Sequence, residues 1–177
     1  MLASGGEGRG AMPAERETVM SMAEQPLPPS KVLVVDDNAQ NLELLEAYLE
    51  ELTEVTTLSA TNGQEALEKV SMHRPDLILL DIMMPRMSGF EVCKKLKSDP
   101  ATRDIPVIMV TALHELGDIE RGVEVGTNDF ITKPVNRVDL LTRVRSLLRA
   151  RHAATELDRE IDYLEGLGDA ANPPPQA

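Results

Sequence analysis

Aromatic side chains are nearly absent. The chain has no Trp, and Tyr48, Phe90, Phe130 and Tyr163 are its whole aromatic complement. That leaves almost nothing on which nucleic-acid bases could stack. Positive charge is also short: 18 Lys and Arg stand against 30 Asp and Glu, a net charge of −12. Such a balance repels a phosphate backbone or an anionic lipid surface, so neither nucleic acid nor membrane is expected as a partner. Cysteine occurs once, as Cys93, which excludes an internal disulfide and suits a reducing, cytoplasmic setting. No apolar run approaches the roughly 20 residues of a membrane helix, and residues 1–30 hold no apolar core of the secretory kind.

What is present is an ordinary globular composition, 42% apolar and 27% charged over 177 residues, enough for about one domain with flanking segments. Residues 1–30 mix Gly, Ser, Pro, Glu and Met without either structural period and read as disordered. Their glycines, Gly5, Gly6, Gly8 and Gly10, do not form a phosphate loop, because no strand precedes them and no helix follows. From Lys31 to about Arg149, short apolar runs alternate with segments of helical spacing. The runs are Lys31–Val35, Val55–Ala60, Asp76–Leu80, Pro106–Val110 and Asp129–Thr132. The first, third and fourth are Val-, Ile- and Leu-rich without alternation, the mark of strands covered on both faces. The helical stripes are Leu42, Leu45, Leu49 and Leu52; Phe90, Cys93 and Leu96; Leu116, Ile119 and Val123; and Leu140, Leu141, Val144 and Leu148. A shorter helix follows Asn62. Five strands alternating with five helices predict a doubly wound α/β domain around a parallel sheet.

Beyond Arg149, Leu147, Ala150, Ala154, Leu157, Ile161 and Leu164 recur at spacings of three and four, a heptad seam. The spacing predicts a helical extension over 150–167, fitting a coiled-coil partner or a solvated helix equally. Gly166 and Gly168 are expected to end it, with 168–177 a disordered tail.

Ligands of open α/β sheets bind beyond the carboxyl ends of the strands. There the chain places Asp36, Asp37 and Asn38 after the first strand and Asp81 after the third. Thr111 and Ala112 follow the fourth, and Lys133 and Pro134 the fifth. Three neighbouring carboxylates repel one another unless a cation joins them, and a hard divalent ion such as Mg²⁺ suits that role. Lys133 and Thr111 then face an anion set against Asp81, an arrangement suited to phosphoryl transfer onto a carboxylate. Singly, each residue has a plainer reading: Asp36, Asp37 and Asn38 as a helix cap, Asp81 as a turn residue, Thr111 as a small capping group, Lys133 as a surface lysine. Their common register at the ends of four strands is what coincidence does not explain.

Val34-Val35-Asp36-Asp37-Asn38, Leu79-Leu80-Asp81-Ile82-Met83-Met84-Pro85 with Ser88-Gly89, Thr111-Ala112 and Lys133-Pro134 together resemble the receiver domain of bacterial two-component response regulators. Leu113, Phe130 and the run Asp129–Pro134 most resemble receivers of the diguanylate-cyclase type. The resemblance covers Lys31 to Arg149 and implies a flavodoxin-like sheet of order 2-1-3-4-5. It further implies Asp81 as phosphoacceptor for a histidine kinase or histidine phosphotransfer protein, and Mg²⁺ held by Asp37, by Asp36 through water, by Asp81 and by the backbone carbonyl of Met83. Thr111 and Lys133 would hold the phosphoryl group, Ala112 would leave room for it, and the Lys133–Pro134 bond would be cis. Thr111 and Phe130 would form the switch, acting on the face of the fourth helix, fifth strand and fifth helix. That face carries Glu115, Asp118, Glu120 and Glu124 opposite Arg137, Arg143, Arg145 and Arg149, charges suited to two-fold pairing or to simple solvation. The implied protein is a stand-alone signalling switch rather than an enzyme, catalysing only its own phosphotransfer and dephosphorylation and acting by docking to a protein effector. Two other readings remain: a binding module that works without phosphorylation, and a Mg²⁺-dependent phosphatase. Against the phosphatase, Met83 stands where such enzymes place a general-acid Asp, and Met transfers no proton. Met83 and Leu113, both apolar, also lack the polarity to orient an attacking water, which implies slow self-dephosphorylation.

Overall fold

The computed structural model describes residues 26–112 and 116–171, and of Leu116 and residues 162–171 only the backbone. The chain runs β1 (Ser30–Val35), α1 (Ala39–Leu49), β2 (Val55–Ala60), α2 (Gly63–His73), β3 (Leu77–Asp81), α3 (Gly89–Ser98), β4 (Val107–Thr111), α4 (Leu116–Val125), β5 (Asp129–Thr132) and α5 (Arg137–Ala171). All strand pairs are parallel, in the order β2-β1-β3-β4-β5.

Successive residues of a strand point to opposite faces, and both faces of the three inner strands are covered. Val32, Val34, Leu77, Leu79, Ile108 and Val110 face α1 and α5, packing with Leu45, Leu49, Leu140 and Val144. Leu33, Val35, Ile78, Leu80, Val107 and Met109 face the other way, onto Ala66 and Val70 of α2 and Val92, Cys93 and Leu96 of α3. The helix starts are set locally. Asn38 caps α1 and Asn62 caps α2, while Ser88 and Glu91 form a reciprocal capping box on α3, an interaction of about 1 kcal/mol.

Three features differ from the sequence reading. The fold takes in Leu27, which is buried in the α1–α5 core, and Ser30, which pairs with Val55. Residues 1–25 of the segment read as disordered lie outside the described residues, as do 172–177 of the tail. The helix of the extension runs through Gly166 and Gly168 to Ala171, because a glycine costs a helix about 1 kcal/mol without forbidding it. Finally, the α4 stripe does not face the sheet: Ile119 and Val123 are 49% and 65% exposed. The face turned inward carries Gly122 and the half-buried Val125, because the ring of Phe130 fills the space beneath them.

Candidate functional site

Asp36, Asp81 and Thr111 are the charged or hydroxyl residues buried at the carboxyl edge of the sheet, each no more than 4% exposed. They arrive there because β1, β3 and β4 are adjacent and parallel, so their ends share one edge. Lys133 follows the neighbouring β5. Its backbone N–H donates to the Thr111 carbonyl at 2.7 Å, and its peptide bond to Pro134 is cis. From that position the ammonium reaches inward, donating to Asp36 Oδ2 at 2.8 Å and to Asp81 Oδ1 at 3.1 Å.

Asp36 is further held by the Asn38 N–H at 2.9 Å and by the Asn41 amide, which donates to both carboxylate oxygens at 3.1 and 3.0 Å. Asn38 is the N-cap of α1 and Asn41 lies in its first turn, so the helix cap and the site share a scaffold. Asp37 is exposed, yet Asp36, Asp37 and Asp81 each offer an oxygen within 4.8 Å of the others. Burial pushes the Asp81 carboxyl above its ordinary pKa. The hydrogen bond and charge of Lys133 oppose this, and the charges of Asp36 and Asp37 add to it. Burial alone would lower the pKa of Lys133, but its hydrogen bonds to Asp36 and Asp81 raise it, so the ammonium stays charged. An all-oxygen set of three close carboxylates, one raised in pKa by burial and further by the charges of the other two, fits a hard divalent cation.

The backbone of Asp81 is held from behind by Gly89, the first residue of α3. A Cβ there would lie 2.3 Å from the Asp81 carbonyl oxygen, and the Gly89 N–H donates to Ile82 O at 3.0 Å. Met83 is 64% exposed beside the pocket. Phe130 leaves β5 half-buried under α4, and Gly122 rests on its ring. Leu113 and Glu115 lie outside the described residues.

Sequence reasoning missed Asn41 and Gly122, and took Gly89 only as part of the Ser88-Gly89 motif. Asn41 carries a weak signal, an amide one helical turn beyond a capping Asn. The packing of the two glycines carries none until the surfaces they rest on are known. Sequence reasoning also treated the arginines of α5 as a set. Arg137 pairs with Glu51 at 2.6 Å, and Arg143 pairs with Asp129 and with Asp139 at 2.6 and 2.8 Å, so both are already engaged within the chain. The lone thiol of Cys93 is buried and pushed up to about 11, which makes it a poor nucleophile. Among the described residues, no helix is long and apolar enough to cross a membrane.

Residues 32–145 match the family model of the response regulator receiver domain. The chain is 51% identical over 129 residues to response regulator PleD of Caulobacter vibrioides, covering 72% of this chain and 28% of that one. It is 38% identical over 137 residues to the alkaline phosphatase synthesis transcriptional regulatory protein PhoP of Bacillus subtilis, covering 77% and 56%. The signal receiver domain of a signal transduction histidine kinase from Syntrophus aciditrophicus superposes with a TM-score of 0.64 at 42% identity, over 68% of this chain and 91% of that one. The chain thus spans about a quarter to a half of the length of the curated relatives it matches.

Proposed function

The chain belongs to the response regulator receiver domain family of two-component signalling, and from that membership we propose that it is a switch worked by phosphorylation of Asp81. A carboxylate oxygen of Asp81 attacks the phosphorus of a phosphohistidine on a sensor kinase or histidine phosphotransfer protein. The new O–P bond forms as the P–N bond breaks, and its electron pair returns to the imidazole. Asp36, Asp37, Asp81 and the Met83 carbonyl would hold Mg²⁺, which supplies positive charge against the incoming phosphoryl oxygens. Lys133 pairs with one of those oxygens, the Thr111 hydroxyl donates to another, and Ala112 leaves them room.

The observation that carries this reading is the Lys133 ammonium lying between Asp36 and Asp81. A cation is already aimed at the position the phosphoryl group takes, so little reorganisation is needed. Once phosphorylated, Asp81 carries more negative charge, Thr111 is drawn toward it, and Phe130 moves in the space released. The output surface is the face of α4, β5 and α5, where Ile119, Val123 and Val138 are apolar and exposed. A protein effector or a second copy of the chain docks there, in the cytoplasm.

Incubation with acetyl phosphate and Mg²⁺, read by intact mass, tests the proposal. One phosphoryl group per chain, absent in Asp81→Asn, is expected. Continuous turnover of acetyl phosphate would indicate a phosphatase, and no labelling would indicate a phosphorylation-independent binding module; either overturns the proposal.

A further inference from the structure

Helix α5 continues past its last core residue, Leu148, and from Glu156 to Ile161 its side chains are exposed. His152 is pinned ahead of that stretch by its Nε2 contact with the Ser30 hydroxyl at 2.8 Å. Past it, Leu157 and Ile161 are 57% and 44% exposed. A solitary helix of this length is marginal in water, and its apolar stripe lies on one seam with Leu147, Ala150 and Ala154.

Two properties of the segment say what covers the seam. Charge is segregated along it. Residues 143–152 hold Arg143, Arg145, Arg149, Arg151 and His152 with no acidic residue, whereas 156–160 hold Glu156, Asp158 and Glu160 with Arg159 as the only base. Side-chain size is segregated too, with the small Ala150 and Ala154 preceding the large Leu157 and Ile161. A parallel pair would stack like charge on like charge and set Ala against Ala in two consecutive layers. An antiparallel pair sets Ala150 against the partner copy's Ile161 and Ala154 against its Leu157, so that every such layer joins one small and one large residue. It also brings Arg151, at the edge of the seam, beside the partner copy's Asp158. Toward the domain the seam runs into a groove of about 460 Å³ lined in part by Arg103, Leu147 and Arg151. Lys97, Arg103 and Arg151 share its lining with Asp104 and Asp158, and Arg151 donates to the Asp104 carbonyl at 3.2 Å, which holds its guanidinium at the edge of the seam.

We propose that residues 150–161 of α5 pair antiparallel with the same segment of a second copy of the chain, forming a two-fold dimer independent of Asp81 phosphorylation. The surface is distinct from the α4-β5-α5 face, and its loss leaves the acidic pocket intact.

Sedimentation equilibrium of the unphosphorylated 177-residue chain, carried to millimolar concentration, tests this. A reversible dimer is expected. Leu157→Asp and Ile161→Asp, both at exposed positions, should each weaken it at least about tenfold, while Ile119→Asp on α4 leaves it unchanged. Arg151→Glu and Asp158→Arg should each weaken self-association. When the two substitutions are combined in one chain, both cross-helix charge pairs reform with their signs exchanged and dimerisation returns; in a parallel pair, where each residue would meet its own copy, neither single substitution would weaken association. Circular dichroism and acetyl phosphate labelling of each variant report that fold and pocket are intact. A chain that stays monomeric, a dimer indifferent to Leu157→Asp or to the single charge reversals, or a double variant that fails to recover association would each overturn the proposal.

Discussion

Gly122 of α4 lies against the ring of Phe130 of β5 so closely that a Cβ on the glycine would stand 2.1 Å from the ring Cζ. The helix is therefore seated directly on the residue proposed to move on activation.

Gly122→Ala should force the ring or the helix aside. Overpacking of this kind costs about 1–3 kcal/mol, read as a lower urea midpoint at unchanged m-value. Combined with Phe130→Ala, the substitution should cost much less than the two effects added, because the clashing partner is gone. Strict additivity would show that the contact is not felt.

Lys133→Ala would leave Asp36 and Asp81 as buried carboxylates without their shared cation. Removing one partner of a buried ion pair costs up to about 3–5 kcal/mol, and less is expected here because the Lys133 side chain is 23% exposed. Its pKa is raised above 10.5, so its contribution is fully present at neutral pH and is lost only as pH rises through that raised value. The stability deficit of the variant should shrink in acid as the Asp81 carboxyl, whose pKa is raised, takes up a proton, and acetyl phosphate labelling should slow sharply. A deficit that stays constant from neutral to acid pH would contradict this account.

Mg²⁺ should stabilise the folded protein by relieving repulsion among Asp36, Asp37 and Asp81. At a free concentration ten times its Kd the gain is about 1.4 kcal/mol, a rise of several degrees in Tm. EDTA should reverse the gain, and NaCl at matched ionic strength should not reproduce it. Asp37→Asn, at an exposed position, should remove most of the response without harming the fold.

Glu65 supplies a pH signature unconnected with the pocket. Its carboxyl accepts from Lys69, from the Thr61 N–H and from the Thr61 hydroxyl, which together lower its pKa from 4.5 to about 2. A lowered pKa means that its contribution is present above about pH 4.5 and is lost as pH falls toward 2. Since the Glu65 side chain is one-third exposed, the contribution is small. Glu65→Gln should be slightly less stable at neutral pH and converge on the unsubstituted chain in acid. Curves that run parallel down to pH 2 would refute this.

The phosphorylated protein should lose its phosphoryl group slowly, because Met83 at the mouth of the pocket cannot position a water molecule. Met83→Asn, which introduces an amide, should speed the loss severalfold when release of inorganic phosphate is followed. A lifetime of seconds in the unsubstituted chain would count against the idea.

The central layer was readable from the sequence because its physics is local. Unbroken Val-, Ile- and Leu-rich runs at Lys31–Val35, Asp76–Leu80 and Pro106–Val110 have no stable place except an inner strand, and inner strands they are. The four strand ends then had to bring Asp36, Asp81, Thr111 and Lys133 to a common edge. Residues whose role depends on what lies across a gap were not readable. A stripe such as Ile119 and Val123 has the spacing of a buried face, but which side of α4 turns inward was decided by Phe130, and spacing carries no record of it. Gly89 and Gly122 are visible only as absences of side chain until their neighbours are in place. Arg143 likewise looked available to a partner, although Asp129 of β5 and Asp139 of its own helix already hold it.

The pocket draws on residues separated by nearly a hundred positions, from Asp36 to Lys133, and nothing in any single segment imitates it. A chain cut before β5 would retain Asp81 but not the ammonium that pairs with it. The pocket is therefore a property of the assembled sheet, present only once all four contributing strands are in register, and no shorter segment can stand in for it.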